Sequence, residues 1–249
     1  MGDAKPSDDA QLTRNRAAFT ELVPDEVEIF RWQREKVELI KSIIRGIPKR
    51  GVLADIGCFT GLATEQYRSG FERAVGFDAS ESALPVAAAR GIEARRWLAG
   101  SERCPASDKE FNVVVAADII EHIIDTDGFM AELSRILAPN GFLIVTTPNL
   151  AYWRSRLRLL LGKPPCSFPG ASPTVRSDLM VDLNHIRITT INEWQALFRA
   201  NGFNTLDLKG WSIMHAVEGG ISIRARQVLD RFFTRFPTLA FGLLFVLHG

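Results

Sequence analysis

The chain offers no cysteine pairing to build on. Its three cysteines, Cys58, Cys104 and Cys166, are odd in number and far apart, with no C-x-x-C. Neither a disulfide framework nor a cysteine zinc site is indicated, and a reducing compartment, the cytoplasm, is the expected location. An excess of one charge is also missing. Thirty basic and 29 acidic side chains leave a net charge of +1, which gives no reason to expect a nucleic-acid partner. Long apolar runs are absent too. The best candidate, residues 237–247 (PTLAFGLLFVL), is about half of the roughly 20 residues a helix needs to span a bilayer, and it reads as a buried strand. The opening residues, MGDAKPSDDAQ, lack the basic-then-apolar order of a signal peptide, and residues 1–12 read as disordered. No internal repeat or low-complexity tract interrupts the chain.

What is present suits one generous globular domain: 249 residues, 46% hydrophobic and 24% charged. A helical pattern over residues 24–45 carries Val27, Phe30, Val37, Ile40 and Ile44, and Gly46 and Pro48 end it. Short apolar runs then alternate with helical stretches. Strands are expected at 52–56, 74–77, 92–98, 111–117 and 141–147. Helices are expected at 60–67, at about 81–90 with Ser80 as its cap, and at 127–137. Alternation of this kind predicts a parallel, doubly wound sheet whose strand C-termini share one ligand-binding edge. Beyond Pro148 come a helix over 150–161 with a basic side (Arg154, Arg156, Arg158), an irregular proline-rich stretch over 162–184, and a helix over 190–201 stopped by Gly202. Strands at 203–208 and 239–247, separated by a helix over 223–236, close the pattern.

The segment VLADIGCFTG, residues 52–61, places a strand, an acid and two glycines ahead of a helix. A cofactor crossing a strand end needs small side chains there, and free N–H groups at a helix start suit a carboxylate. Asp55 is placed to accept from an ammonium group. Asp78, at the end of the next strand, is placed to accept from ribose hydroxyls. The spacing alone permits a nicotinamide cofactor as well, although GCFTGL at 57–62 does not supply G-x-G-x-x-G.

DIGCFTG resembles the D-x-G-C-G-x-G loop of class I S-adenosylmethionine-dependent methyltransferases. GFDAS, FNVVVAADIIEHI and LAPNGFLIVTTPN resemble the second-, fourth- and fifth-strand segments of that family, in the same order, over about residues 50–150. TTPNLAYWRSRLRLLLGK and NHIRITT resemble the MetW-like and saccharide-cluster branches. The resemblance implies an α/β, Rossmann-like, doubly wound, mostly parallel seven-stranded sheet with a C-terminal antiparallel hairpin. It implies one methyltransferase domain over 1–249, made of an N-terminal extension and helix (1–48), a cofactor-binding core (49–148), a substrate-side insertion (149–190) and C-terminal helices with a strand pair (191–249). The cofactor is S-adenosyl-L-methionine, with S-adenosyl-L-homocysteine as product. Cofactor contacts carry over to Asp55, Gly57, Cys58, Phe59 and Gly61 in the loop. Asp78, Ala79, Leu98, Ala117 and Asp118 follow at the later strand ends. Two departures stand out: Phe59 occupies a position where the family has glycine, and Gly100, beside Leu98 and Ala99, falls where the family often has an adenine-binding acid.

Methyl transfer from a sulfonium is an in-line displacement that in many cases also needs a proton removed. Asp118, Glu121 and His122 follow the fourth strand directly. His122 is the first choice for a general base, with Glu121 beside it and His185 contributed from further on. The plainer reading is that Glu121 and His122 only tie down the loop. D-x-x-E-H is also similar to the E-x-x-E-H of ubiquinone-pathway O-methyltransferases, which makes Asp118, Glu121 and His122 a divalent-metal set, a use that is open but not preferred. The expected partner is a small-molecule or glycan acceptor, O-methylated. The arginines of residues 154–158 form a solvated face, meet an acidic substrate, or touch an anionic membrane surface. The protein is expected to be a monomer or homodimer. The rival reading is a non-catalytic, methyltransferase-like module that binds a partner enzyme.

Overall fold

A computed structural model describes residues 26–48, 51–166, 185–214 and 221–249. The expected disorder of residues 1–12 and most of the proline-rich stretch lie outside the described residues.

The continuous apolar runs become the interior of one seven-stranded sheet. Its strands are β1 (Val52–Ile56), β2 (Arg73–Asp78), β3 (Glu93–Arg96), β4 (Phe111–Ala117), β5 (Leu137–Pro148), β6 (Asn204–Trp211) and β7 (Gly242–His248). They lie in the order β3-β2-β1-β4-β5-β7-β6. β1 to β5 are parallel neighbours, and β7 runs antiparallel to both β5 and β6. The expected doubly wound sheet with its antiparallel C-terminal pair is therefore present.

Side-chain alternation divides each central strand between two cores. Leu53, Val113, Val115 and Ile144 face one layer, where α1 (Glu26–Gly46) delivers Val37, Ile40 and Ile44 and α2 (Leu62–Tyr67) delivers Tyr67. Ala54, Ile56, Val114, Ala116, Leu143 and Val145 face the other. There α4 (Thr126–Ile136) buries Phe129, Met130 and Leu133, and α6 (Ile191–Ala200) buries Trp194 and Phe198. α3 (Leu84–Ala89), α5 (Trp153–Leu160) and α7 (Ile221–Thr234) complete the helices used below. The strand expected over 239–247 starts later, as β7 at Gly242: residues 237–239 form a short 3-10 turn, and β7 is buried up to Leu247. No helix among the described residues is long and apolar enough to cross a membrane.

Several boundaries differ from the sequence expectation. The helix expected from residue 60 begins at Leu62, because Phe59 and Gly61 have positive φ of 48° and 76° and break helical geometry. Ser80 does not cap α3. Its hydroxyl meets that of Ser82 at 3.1 Å, its carbonyl turns the chain through Ala83, and Ala83 is the N-cap with no side-chain bond. β3 spans four residues rather than seven, being an edge strand whose Glu93 and Arg95 bond one another at 2.6 Å. β6 runs on to Trp211, past the expected end at residue 208.

Candidate active site

The C-terminal ends of β1, β2 and β4 meet along one edge, and the glycine loop crosses it. The loop is stitched to β2: Gly57 and Cys58 donate to the Phe77 carbonyl at 2.8 and 3.1 Å, and Phe59 donates to Asp78 Oδ2 at 2.7 Å. Gly57, Phe59 and Gly61 all lie in the left-handed region, at φ of 77°, 48° and 76°. A β-carbon on Gly61 would stand 2.4 Å from Ile92 Cδ1 and 3.2 Å from the Ala87 Cα, which together with its φ favours glycine there. Phe59 keeps the backbone shape of the glycine that the family has, at a cost of about 1 kcal/mol in conformational strain. Cys58 is buried under the loop, and a β-carbon on Gly76 would lie 2.6 Å from its sulfur. Burial pushes the Cys58 thiol far up, so it serves as packing rather than as a nucleophile.

Asp55 lies deeper. Its Oδ2 accepts from Tyr67 at 2.6 Å and from the Thr64 hydroxyl, so it fastens α2 to β1 while still lining the cavity under α1. Loss of solvation raises its pKa to about 6, against the help of those two hydrogen bonds. Asp78 accepts from two loop amides, those of Phe59 and Ser80, and burial raises its pKa as well. Ala79 follows it, half-buried. Ala117, at the end of β4, lines the same cavity as Asp55, Gly57, Cys58 and Phe59.

Beyond β3, where the resemblance puts the adenine, Leu98, Ala99 and Gly100 form a half-buried turn. Gly100 has φ of 77°, and a β-carbon there would meet Ile123 Cγ2 at 2.6 Å. Glu102, two residues on, bonds Arg96 at 2.8 Å and reaches the Leu98 amide at 3.4 Å. No acid replaces Gly100 within the turn itself.

Asp118, placed at the cofactor edge by the resemblance, stands apart from the cluster that Glu121 and His122 form with His185. It has φ of 51° and stands between two partners: Lys36 Nζ lies 2.5 Å from Oδ2, and Thr146 Oγ1 donates to Oδ1 at 2.6 Å. Lys36, only 2% exposed, reaches down from α1 and also lies 5.4 Å from the Trp211 ring centre. Sequence reasoning missed Lys36. The available signal was a lysine sharing a helix face with Gln33 and Ile40, both of which line the cavity.

Glu121, His122 and His185 do converge. One ligand atom from each lies within 4.8 Å of the others, and the two imidazole rings stand 4.8 Å apart. His185 Nε2 is 3.9 Å from Glu121 Oε1. The segment bearing His185 is anchored on the same turn, because Ile186 and Arg187 both donate to the Glu121 carbonyl at 3.0 Å. Glu121 is 0% exposed, and neither carboxylate oxygen has a hydrogen-bond partner among the described residues. Burial first, and then the charge of Asp118, hold it well above the ordinary carboxylate range. A buried carboxyl beside two imidazoles can store or pass a proton. The same oxygen and nitrogen donors also fit a divalent cation, with His185 rather than Asp118 as the third donor.

A family model described as a methyltransferase domain matches residues 30–208. A ubiquinone biosynthesis O-methyltransferase from Bradyrhizobium diazoefficiens is 31% identical over 113 residues, covering 43% of this chain and 44% of that protein. Another from Rhodopseudomonas palustris is 30% identical over 115 residues, covering 44% of each. The chain thus spans less than half the length of these curated relatives. Among solved structures, an S-adenosylmethionine-dependent methyltransferase from Thermotoga maritima superposes with a TM-score of 0.60 at 17% identity, over 96% of both chains. One from Mesorhizobium loti gives 0.56 at 18% identity, over 84% of this chain and 96% of that one. Taken with the glycine loop, the acid ending β2 and the 3-2-1-4-5-7-6 sheet, the family match places this chain among the class I S-adenosylmethionine-dependent methyltransferases.

Proposed function

We propose that the chain O-methylates a small hydroxyl-bearing acceptor, of saccharide or phenolic type, at the edge formed by β4 and the 3-10 turn that follows it. The convergence of Glu121, His122 and His185 carries this reading. A hydroxyl is a poor nucleophile until its proton leaves, so a base beside the acceptor has work to do in O-methylation, whereas an amine lone pair needs less help. The curated relatives named as O-methyltransferases support the same chemistry.

Bound S-adenosylmethionine supplies an electrophilic methyl group. The chain's own residues do the rest. The Asp78 carboxylate orients the ribose and braces the loop through the Phe59 amide. The left-handed loop lets the cofactor pass close to the backbone, and Asp55 sets α2 beneath it. His122 takes the hydroxyl proton, while Glu121 and His185 fix its position and share the charge.

Two measurements test this. Calorimetry should show micromolar binding of S-adenosylmethionine, weakened about tenfold or more by Asp78→Ala, which removes hydrogen bonds to a charged group. Incubation of the labelled methyl donor with a panel of sugars, catechols and amines should label oxygen. Labelling of amines alone would overturn the O-methylation reading. Cofactor binding with no transfer to any acceptor, together with a stoichiometric protein partner, would identify a non-catalytic module.

A further inference from the structure

Scattered apolar side chains on a surface are ordinary; clustering is not. Among the described residues eleven large apolar side chains are exposed, and eight of them fall on α5, α7 and the residues just after each. Leu157, Leu159, Leu160 and Leu161 belong to the first segment, with Leu160 84% exposed. Val228, Leu229, Phe232 and Phe236 belong to the second, with Val228 70% exposed.

On α7 the spacing 228, 229, 232 is that of one helix face, and Phe236 follows just beyond the helix end. This face is not the one that packs. Asp230 and Phe233 point inward: Asp230 accepts from Tyr152 at 2.5 Å, from Trp153 Nε1 at 3.0 Å and from the Ser212 hydroxyl, and Phe233 lies 5.2 Å from Trp153. The buried Asp230 thus locks α7 against the start of α5, which places the two groups of exposed apolar side chains on neighbouring elements.

The charge is as uneven as the hydropathy. Residues 151–166 and 221–236 hold Arg154, Arg156, Arg158, Lys163, Arg224, Arg226, Arg231 and Arg235, and their one acid is the buried Asp230. The chain as a whole is nearly neutral, so this positive charge is local. None of these eight cations is ion-paired with a carboxylate among the described residues. Arg156 and Arg158 bond backbone carbonyls instead, at 2.7 and 2.6 Å, which fixes their place without neutralising them. Exposed leucines and phenylalanines flanked by arginines that have no carboxylate partner among the described residues match the interface of a bilayer: acyl chains for the apolar side chains, anionic headgroups for the guanidinium groups.

We infer that α5 and α7 form a docking platform for an anionic phospholipid surface. The inference is independent of which acceptor is methylated.

The full chain should be centrifuged with vesicles of phosphatidylcholine alone and with vesicles carrying phosphatidylglycerol. The expected result is co-sedimentation at least about tenfold stronger with the anionic vesicles, falling steeply as salt rises. The variants Leu160→Ser with Phe232→Ser, and Arg224→Glu with Arg231→Glu, should each lose it while keeping the wild-type circular dichroism melt. Two results overturn the inference. One is equal or no sedimentation with both vesicle types. The other is a concentration-dependent dimer in light scattering that the Leu160→Ser, Phe232→Ser variant dissolves, since a second copy would then own this face.

Discussion

Lys36 and Asp118 meet at 2.5 Å although 82 residues separate them in sequence. Through this contact α1, which reads as a plain amphipathic helix, enters the chemistry of the β4 edge. Lys36 balances a carboxylate that otherwise adds to the charge around Glu121, since Asp118 is the second-largest cause of the raised Glu121 pKa. Removing one partner of such a pair is costly, and removing both is not. Lys36→Met should destabilise the fold by about 2 kcal/mol, and Asp118→Asn in the same chain should restore most of it. Urea unfolding of the two single variants and the double variant gives the coupling directly. Additive losses would show that the pair does not act as a unit.

Phe59 separates backbone shape from side-chain identity. Phe59→Gly fits φ of 48° without strain, while Phe59→Val puts a β-branched residue where it is least tolerated. The valine variant should lose about 1–2 kcal/mol relative to the glycine variant. The glycine variant should bind S-adenosylmethionine at least as tightly as the parent. A valine variant as stable as the glycine one would show that the loop is free to take another shape.

Asp55 predicts a pH dependence with an unusual sign. Its pKa is higher in the folded chain, about 6, than the ordinary 3.8, so the folded state holds its proton over that range while the unfolded state gives it up. This group therefore makes the fold less stable as pH rises from about 4 to 6, by about 3 kcal/mol at most. Asp55→Asn should flatten that slope in denaturant titrations across the same window. An ammonium group bound nearby reverses the bias, so the stabilisation given by S-adenosylmethionine should grow between pH 5 and 7. An identical slope in parent and variant would remove Asp55 from the account.

The Glu121, His122 and His185 cluster offers proton transfer or a cation site, and the two part under a chelator. The expected outcome is that activity survives chelation and that His122→Ala lowers kcat about 100-fold, with KM little changed. Activity abolished by chelation and restored by magnesium or manganese would transfer the cluster to metal binding.

Much of this architecture could be read from residues alone, for physical reasons. β1, β4 and β5 are buried on both faces, so their runs of valine, isoleucine and leucine stand out, and the turn glycines mark their ends. β3 was less legible because its pairing with β2 leaves EARR half in water, where charge replaces apolar patterning. The strand acids Asp55 and Asp78 were legible as positions, but not the partners that occupy them: Tyr67 and Thr64 arrive from α2, and the Phe59 amide from the glycine loop. Long-range pairs leave no local trace. Lys36 with Asp118 and Asp230 with Tyr152 each join segments more than seventy residues apart, and each depends on helix docking that periodicity does not fix. The approach of His185 to Glu121 and His122 has the same origin: the residues offered themselves in the sequence, but the backbone bonds of Ile186 and Arg187 to the Glu121 carbonyl that deliver His185 did not.

The position of β7 between β5 and β6 also bears on biosynthesis. β6 is made some thirty residues before β7, yet it has no neighbour in the sheet until β7 arrives. A nascent chain therefore carries β5 as a bare, hydrophobic edge throughout synthesis of α6, β6 and α7, open to mispairing with any strand nearby. Chains halted before residue 242 should accumulate as aggregates or chaperone clients rather than as smaller folded enzymes, which makes β7 the closing step that commits the whole sheet.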